Sequence, residues 1–141
     1  MRLRTAQLLR AATFVAAGLL VVAVVVKLFA SPAEDEHITA GGGTLTVTEA
    51  IQKISREPVP VRGFVFEGPG GLGLRLCDGR RPGSPPSCIG PFLDLYGPAV
   101  NALDLRTGED GKGRRIRWSP DPVTLLGPVT GARLDVQQVL R

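Results

Sequence analysis

Histidine occurs once in this chain of 141 residues, cysteine twice, and tryptophan and tyrosine once each. The histidine, His37, lies in a polar, glycine-rich stretch. No later part of the chain can therefore field a histidine general base, a Ser-His-Asp triad or a histidine metal ligand. Two cysteines without a nearby histidine fall short of the four ligands of a zinc site. No cysteine stands directly after the N-terminal apolar run, which excludes lipid attachment of the bacterial lipoprotein kind. Internal repeats are absent. Asp78, Asp94, Asp104 and Asp135 could meet only if the fold gathers them, and a glycosidase needs two carboxylates at a set separation. No acid–base constellation is visible, so neither an enzyme nor a cofactor is expected.

Excess charge is also missing from most of the chain. The net +4 comes from Arg2, Arg4, Arg10 and Lys27, while residues 31–141 balance 13 basic side chains against 13 acidic ones. A basic total usually points to nucleic acid or an anionic surface. Here it marks topology instead. The apolar run from Ala11 to Val26, followed by Lys27, Leu28, Phe29 and Ala30, is long enough to cross the hydrocarbon core of a bilayer. Arginines precede it, and Glu34, Asp35 and Glu36 follow it. The positive-inside rule then puts residues 1–10 in the cytoplasm and residues 31–141 outside.

Two fates of the run compete. A cleaved signal peptide would use Leu28-Phe29-Ala30 or Ser31-Pro32-Ala33 as its small-residue site. A retained signal-anchor over residues 11–30 explains the length better, because secretory apolar regions run only about 7–15 residues. Lys27 suits an anchor too, its stem reaching the headgroups. On the outer side of a membrane disulfides persist, so Cys77 and Cys88 are expected to bond, the alternative being two buried thiols in a reducing compartment.

Residues 31–43 read as a flexible linker, acidic and then glycine-rich. Leu45 and Val47 alternate with threonines as a short strand. Thr48 then reads as the N-cap of a two-turn helix burying Ala50, Ile51 and Ile54. Next come two strands, Val59–Glu67 and Leu72–Cys77, the second with Leu72, Leu74 and Leu76 on one face. The first is apolar on both faces beyond Gly63, and a glycine there suits a bend. Gly68–Gly73 between them matches G-x-G-x-x-G. A strand follows rather than a helix, so the glycines read as turn positions and not as a dinucleotide site. Residues 77–90 read as a loop. Phe92–Tyr96 is a strand with Leu93 and Leu95 inward; residues 97–113 are ambiguous, Val100, Leu103 and Leu105 suggesting a short packed turn before a solvated loop at Thr107–Gly113. Ile116 and Trp118 alternate with Arg115 and Arg117 before the strands Val123–Val129 and Ala132–Val139. In the last of these Ala132, Leu134 and Val136 face inward.

Five or six short strands with tight turns and one short helix predict a mainly β protein, a small barrel over residues 44–141. Leu45-Thr-Val-Thr-Glu-Ala-Ile51 leading into Pro58–Val65 resembles the opening of OB-fold domains. Val123–Val129 with Arg133–Val136 resembles their closing hairpin. The chain also resembles uncharacterised membrane-anchored or exported actinobacterial domains with a Leu-Cys…Pro-Pro-x-Cys loop, a likeness that implies no activity. It differs from another anchored OB-type barrel, the haem chaperone of cytochrome c maturation, in lacking the haem-attaching histidine.

Lys112, Arg114, Arg115 and Arg117 with Trp118 form the sharpest local constellation, a ligand site if the arginines share a concave face with Trp118 and Tyr96. OB-folds bind single strands with a basic groove and stacking aromatics. Glu109, Asp110 and Asp121 flank the cluster, however, and the alternation equally suits a solvated edge strand. The expectation is a membrane-anchored, non-enzymatic binding or scaffolding module of the cell envelope with a protein partner. The alternative is a barrel that grips a glycan or single-stranded nucleic acid through Arg114, Arg115, Arg117, Trp118 and Tyr96; the neutral domain disfavours nucleic acid.

Overall fold

The structure, a computed structural model, describes residues 35–38 and 42–141. The expected anchor at residues 11–30 lies outside them, as do residues 31–34 and 39–41 of the expected linker. Among the described residues no helix is long and apolar enough to cross a membrane. The described residues are mainly β, a 10-stranded sheet with one α-helix.

The helix, α1 (Val47–Lys53), follows the two-residue strand β2 (Leu45–Thr46). Its N-cap is Thr46, not Thr48. The Thr46 hydroxyl accepts the Glu49 N–H at 3.2 Å, and the Glu49 carboxylate accepts the Thr46 N–H at 2.7 Å. This reciprocal box needs a carboxylate three residues after the cap; Thr46 has one, whereas Thr48 has Ile51 there. The same bonds hold the Glu49 carboxyl below its ordinary pKa. Starting two residues earlier turns Val47 and Ala50 into the buried stripe and leaves Ile54, expected inside, 59% exposed.

Strand β3 (Ser55–Glu67) begins before both of its prolines. Pro58 and Pro60 fall where β3 pairs with only one neighbour, β8 (Val123–Thr130), so a missing N–H leaves no ladder broken on the open side. Further along, Val61 and Val65 enter the main core. Phe64 and Phe66 enter a second cluster on the opposite face with Cys77, against which Ile38, Phe92 and Trp118 pack. Two cores explain the two apolar faces. Gly63 serves close approach: a Cβ there would stand 2.6 Å from the Cys77 carbonyl oxygen and 2.8 Å from Leu76.

A 3-10 turn (Pro69–Gly71) joins β3 to β4 (Leu74–Arg81), with Gly70, Gly71 and Gly73 all at positive φ, as the turn reading requires. Leu72, expected inward, belongs to this turn and is 73% exposed; Leu74 and Leu76 are buried. Residues 77–90 are mostly not a loop. β4 runs on to Arg81 and β5 (Ser87–Tyr96) begins at Ser87, with Arg80 opposite Cys88. The Cys77–Cys88 disulfide bridges the two strands, with Cα atoms 5.8 Å apart. Where the register shifts between Cys77 and Gly79, the two β5 residues Gly90 and Pro91 stand opposite a single one, Asp78. Its carboxylate turns to the helix N-terminus and accepts the Val47 N–H at 2.9 Å and the Thr48 hydroxyl at 2.8 Å.

After a 3-10 turn (Pro98–Ala102), β6 (Arg106–Glu109) and β7 (Arg115–Trp118) form a hairpin over the expected Thr107–Gly113 loop. Asp110 shapes its turn by accepting the Lys112 and Arg114 N–H groups, both at 2.9 Å. The expected strand Ala132–Val139 is two, β9 (Arg133–Asp135) and β10 (Gln138–Leu140), and Ala132 is exposed. At the break, the Val136 N–H crosses to Tyr96 and the Gln137 N–H to Leu126. Finally β1 (Glu36–His37), within the stretch expected as linker, pairs with β4, because Ile38 has the second cluster to cover.

The pairings β3–β4, β4–β5, β5–β9, β9–β8 and β8–β3 return to their starting strand, with β5–β9 the parallel pair. Inside lie Val47, Ala50, Val61, Val65, Leu74, Leu76, Leu93, Leu95, Leu125, Val129, Leu134 and Val136.

Candidate functional site

Leucines at 74, 76, 93 and 95 point into the core, so by alternation their immediate strand neighbours face outward. Arg75 and Phe92 are two of these, and the β6–β7 hairpin stands beside them. The result is a groove of about 500 Å³. Phe66 from β3, Phe92 from β5 and Ile116 from β7 supply its apolar surface, while Pro86 and Cys88 bring the disulfide to its wall. Arg75, Arg114, Arg117, Glu67 and Asp110 supply its charge.

Each of these arginines has a carboxylate. Arg75 meets Asp94, directly opposite it across β4–β5, at 3.1 Å, and its guanidinium stacks 4.2 Å from the centre of the Phe92 ring. Arg117 reaches Glu67 with two nitrogens, at 3.2 and 3.3 Å. Arg114 holds Asp110 at 2.7 Å. The Arg114 backbone N–H, then its side chain, then the Lys112 N–H lower the Asp110 pKa to about 2. Pairing of this kind fixes guanidinium orientation more than it adds stability, since the pairs are partly exposed.

The structure brings together only part of the expected constellation. Arg114 and Arg117 line the groove. Arg115 lies in an adjoining recess of about 320 Å³ with Glu67 and Arg117, and has no ion-pair partner among the described residues. Trp118 packs on the second cluster, its ring over Gly108, and borders a different recess with Arg80, Arg106 and Pro120. Tyr96, 46% exposed at the far end of β5, lies 3.9 Å beneath the Arg133 guanidinium, which is itself paired with Asp135 at 2.6 Å. Neither ring lines the groove; Phe66 and Phe92 do. Alternation assigned Arg75 to an outer face, but only strand register sets it beside Asp94 and Phe92.

The four aspartates considered for catalysis are dispersed. Asp78 caps α1, Asp94 pairs with Arg75, Asp135 pairs with Arg133, and Asp104 lines a recess beside Val139 and Leu140. One polar side chain in the core, Ser119, is satisfied by the Val65 N–H at 2.9 Å. Compared with known families, curated proteins and solved structures, the chain matches none.

Proposed function

We propose that residues 44–141 form an OB-type β-barrel that works as a non-enzymatic binding module of the cell envelope, held outside the cytoplasm by a signal-anchor at residues 11–30. The circuit of five strands, β3, β4, β5, β9 and β8, supports the barrel. OB domains are five-stranded Greek-key barrels that take ligands across their second and third strands, which correspond here to β4 and β5. The groove on that pair, apolar at its base and walled by an extra hairpin, carries the functional reading. The partner is another envelope protein. A disulfide and a charge asymmetry confined to the N-terminus support the compartment.

A second reading has an anionic oligomer crossing the arginines, and Arg115, without an ion-pair partner among the described residues, favours it. Against it stand Asp94, Asp110 and Glu67, which already hold the groove arginines, and the zero net charge of residues 31–141.

Site-specific photocrosslinking in intact cells tests the first reading. A crosslinker at Ile116 should trap a discrete adduct that one at Leu126, on β8, does not. Equal or absent trapping at the two positions refutes the groove as the binding site.

A further inference from the structure

The groove arginines differ in how much of their donor capacity is already committed. A guanidinium carries five N–H donors in a plane. Arg114 and Arg117 each turn two nitrogens to a carboxylate of the chain itself. Arg75 gives Asp94 only its Nε, and its two terminal nitrogens have no hydrogen-bond partner among the described residues. The ring of Phe92 beneath it and Asp94 at its Nε hold this guanidinium in place at the groove wall. It is thus preorganised for one more planar acceptor, the geometry of a carboxylate. The wider charge balance agrees. Counting Asp94, the three arginines meet three carboxylates, so the site suits one charge-assisted contact at Arg75 and not a polyanion. Beside that contact lies the apolar surface of Phe66, Phe92 and Ile116.

We propose that the groove takes an extended peptide segment of its partner in which a carboxylate side chain adjoins a large apolar one. The carboxylate docks on the terminal nitrogens of Arg75, and the apolar side chain covers Phe66, Phe92 and Ile116. A volume of about 500 Å³ is within the usual range for such sites. The inference rests on the reading of the groove as the binding site.

The test is a titration of the full chain in detergent micelles. Nine-residue peptides, blocked at both ends, carry one acidic residue beside leucine or phenylalanine in a glycine–serine background. A second series replaces the acid by its amide. Acidic peptides should bind at least about tenfold more tightly, as a charge-assisted hydrogen bond implies. Arg75→Gln should erase that preference, and Arg62→Gln, an exposed arginine of β3 outside the groove, should preserve it. Chemical-shift changes at Phe92 and Ile116 report occupancy independently of any variant. If acidic and amide peptides shift them equally, the carboxylate assignment is overturned and the groove survives. If no peptide shifts them, both readings fall. Displacement of bound peptide by single-stranded DNA, with a steep salt dependence, also overturns the proposal.

Discussion

Asp78 offers the sharpest test of how this fold is held together, because one strand side chain supports an element thirty residues earlier. Its Oδ1 accepts the Val47 N–H at 2.9 Å and, more weakly, the Thr48 N–H at 3.4 Å. Its Oδ2 accepts the Thr48 hydroxyl at 2.8 Å. Replacing it with alanine leaves the first two N–H groups of α1 without a protein partner in a part-buried place. Loss of a helix cap alone costs about 1 kcal/mol, up to about 2. Two strong bonds to a charged acceptor raise the expectation for Asp78→Ala to about 2–3 kcal/mol, since each is worth about 1.5 kcal/mol or more when poorly replaced by water. For a domain of this size that lowers the melting temperature by about 10 °C or more. Asp78→Asn keeps acceptors at the helix end but loses the charge, a loss of about 0.3–1 kcal/mol at a helix N-terminus. The assay is urea unfolding followed by fluorescence of Trp118, the single tryptophan, packed against the second cluster. Asp104→Ala, at an exposed position, is the control. An Asp78→Ala variant within about 0.5 kcal/mol of that control would refute the capping argument.

Cys77 and Cys88 should take up no thiol reagent in the denatured, unreduced protein, and removing the bond should cost about 2.8 kcal/mol by loop-closure entropy. The depressed pKa of Asp110 makes its turn acid-sensitive. Its contribution is complete above about pH 4 and lost as pH falls towards its folded value of about 2, a loss absent from Asp110→Asn and readable by hydrogen exchange across β6–β7. Gly127→Ala should destabilise by more than about 2 kcal/mol in the same urea assay, because the new methyl would overlap the Asp135 carbonyl, which is fixed in the neighbouring β9. The chain should fractionate with membranes and retain residues 11–30; soluble protein with an N-terminus near Glu34 would contradict the anchor.

Which residues face inward was legible from order alone wherever one strand face is dry and the other wet. Leu74, Leu76, Leu93, Leu95, Leu134 and Val136 are inside, as alternation requires, since successive side chains on a strand cannot share a face. The glycine turn at Gly68–Gly73 was legible from local chemistry, and the cysteine pair because the chain holds only those two thiols. Alternation says nothing of what lies opposite. Register places Arg75 against Asp94 and Phe92, and strand order separates Trp118 and Tyr96, although both lie on strands beside the arginines or the groove floor. Alternation puts Asp78 on the face of Leu76, but only the tertiary fold brings the N-terminus of α1 there to meet it. Val47 had two competing local patterns, strand alternation and a capping box, and the reciprocal bonds of Thr46 and Glu49 together with a core to fill decided for the helix. Local periodicity determines the face a residue presents; only the paired neighbour determines what that face meets.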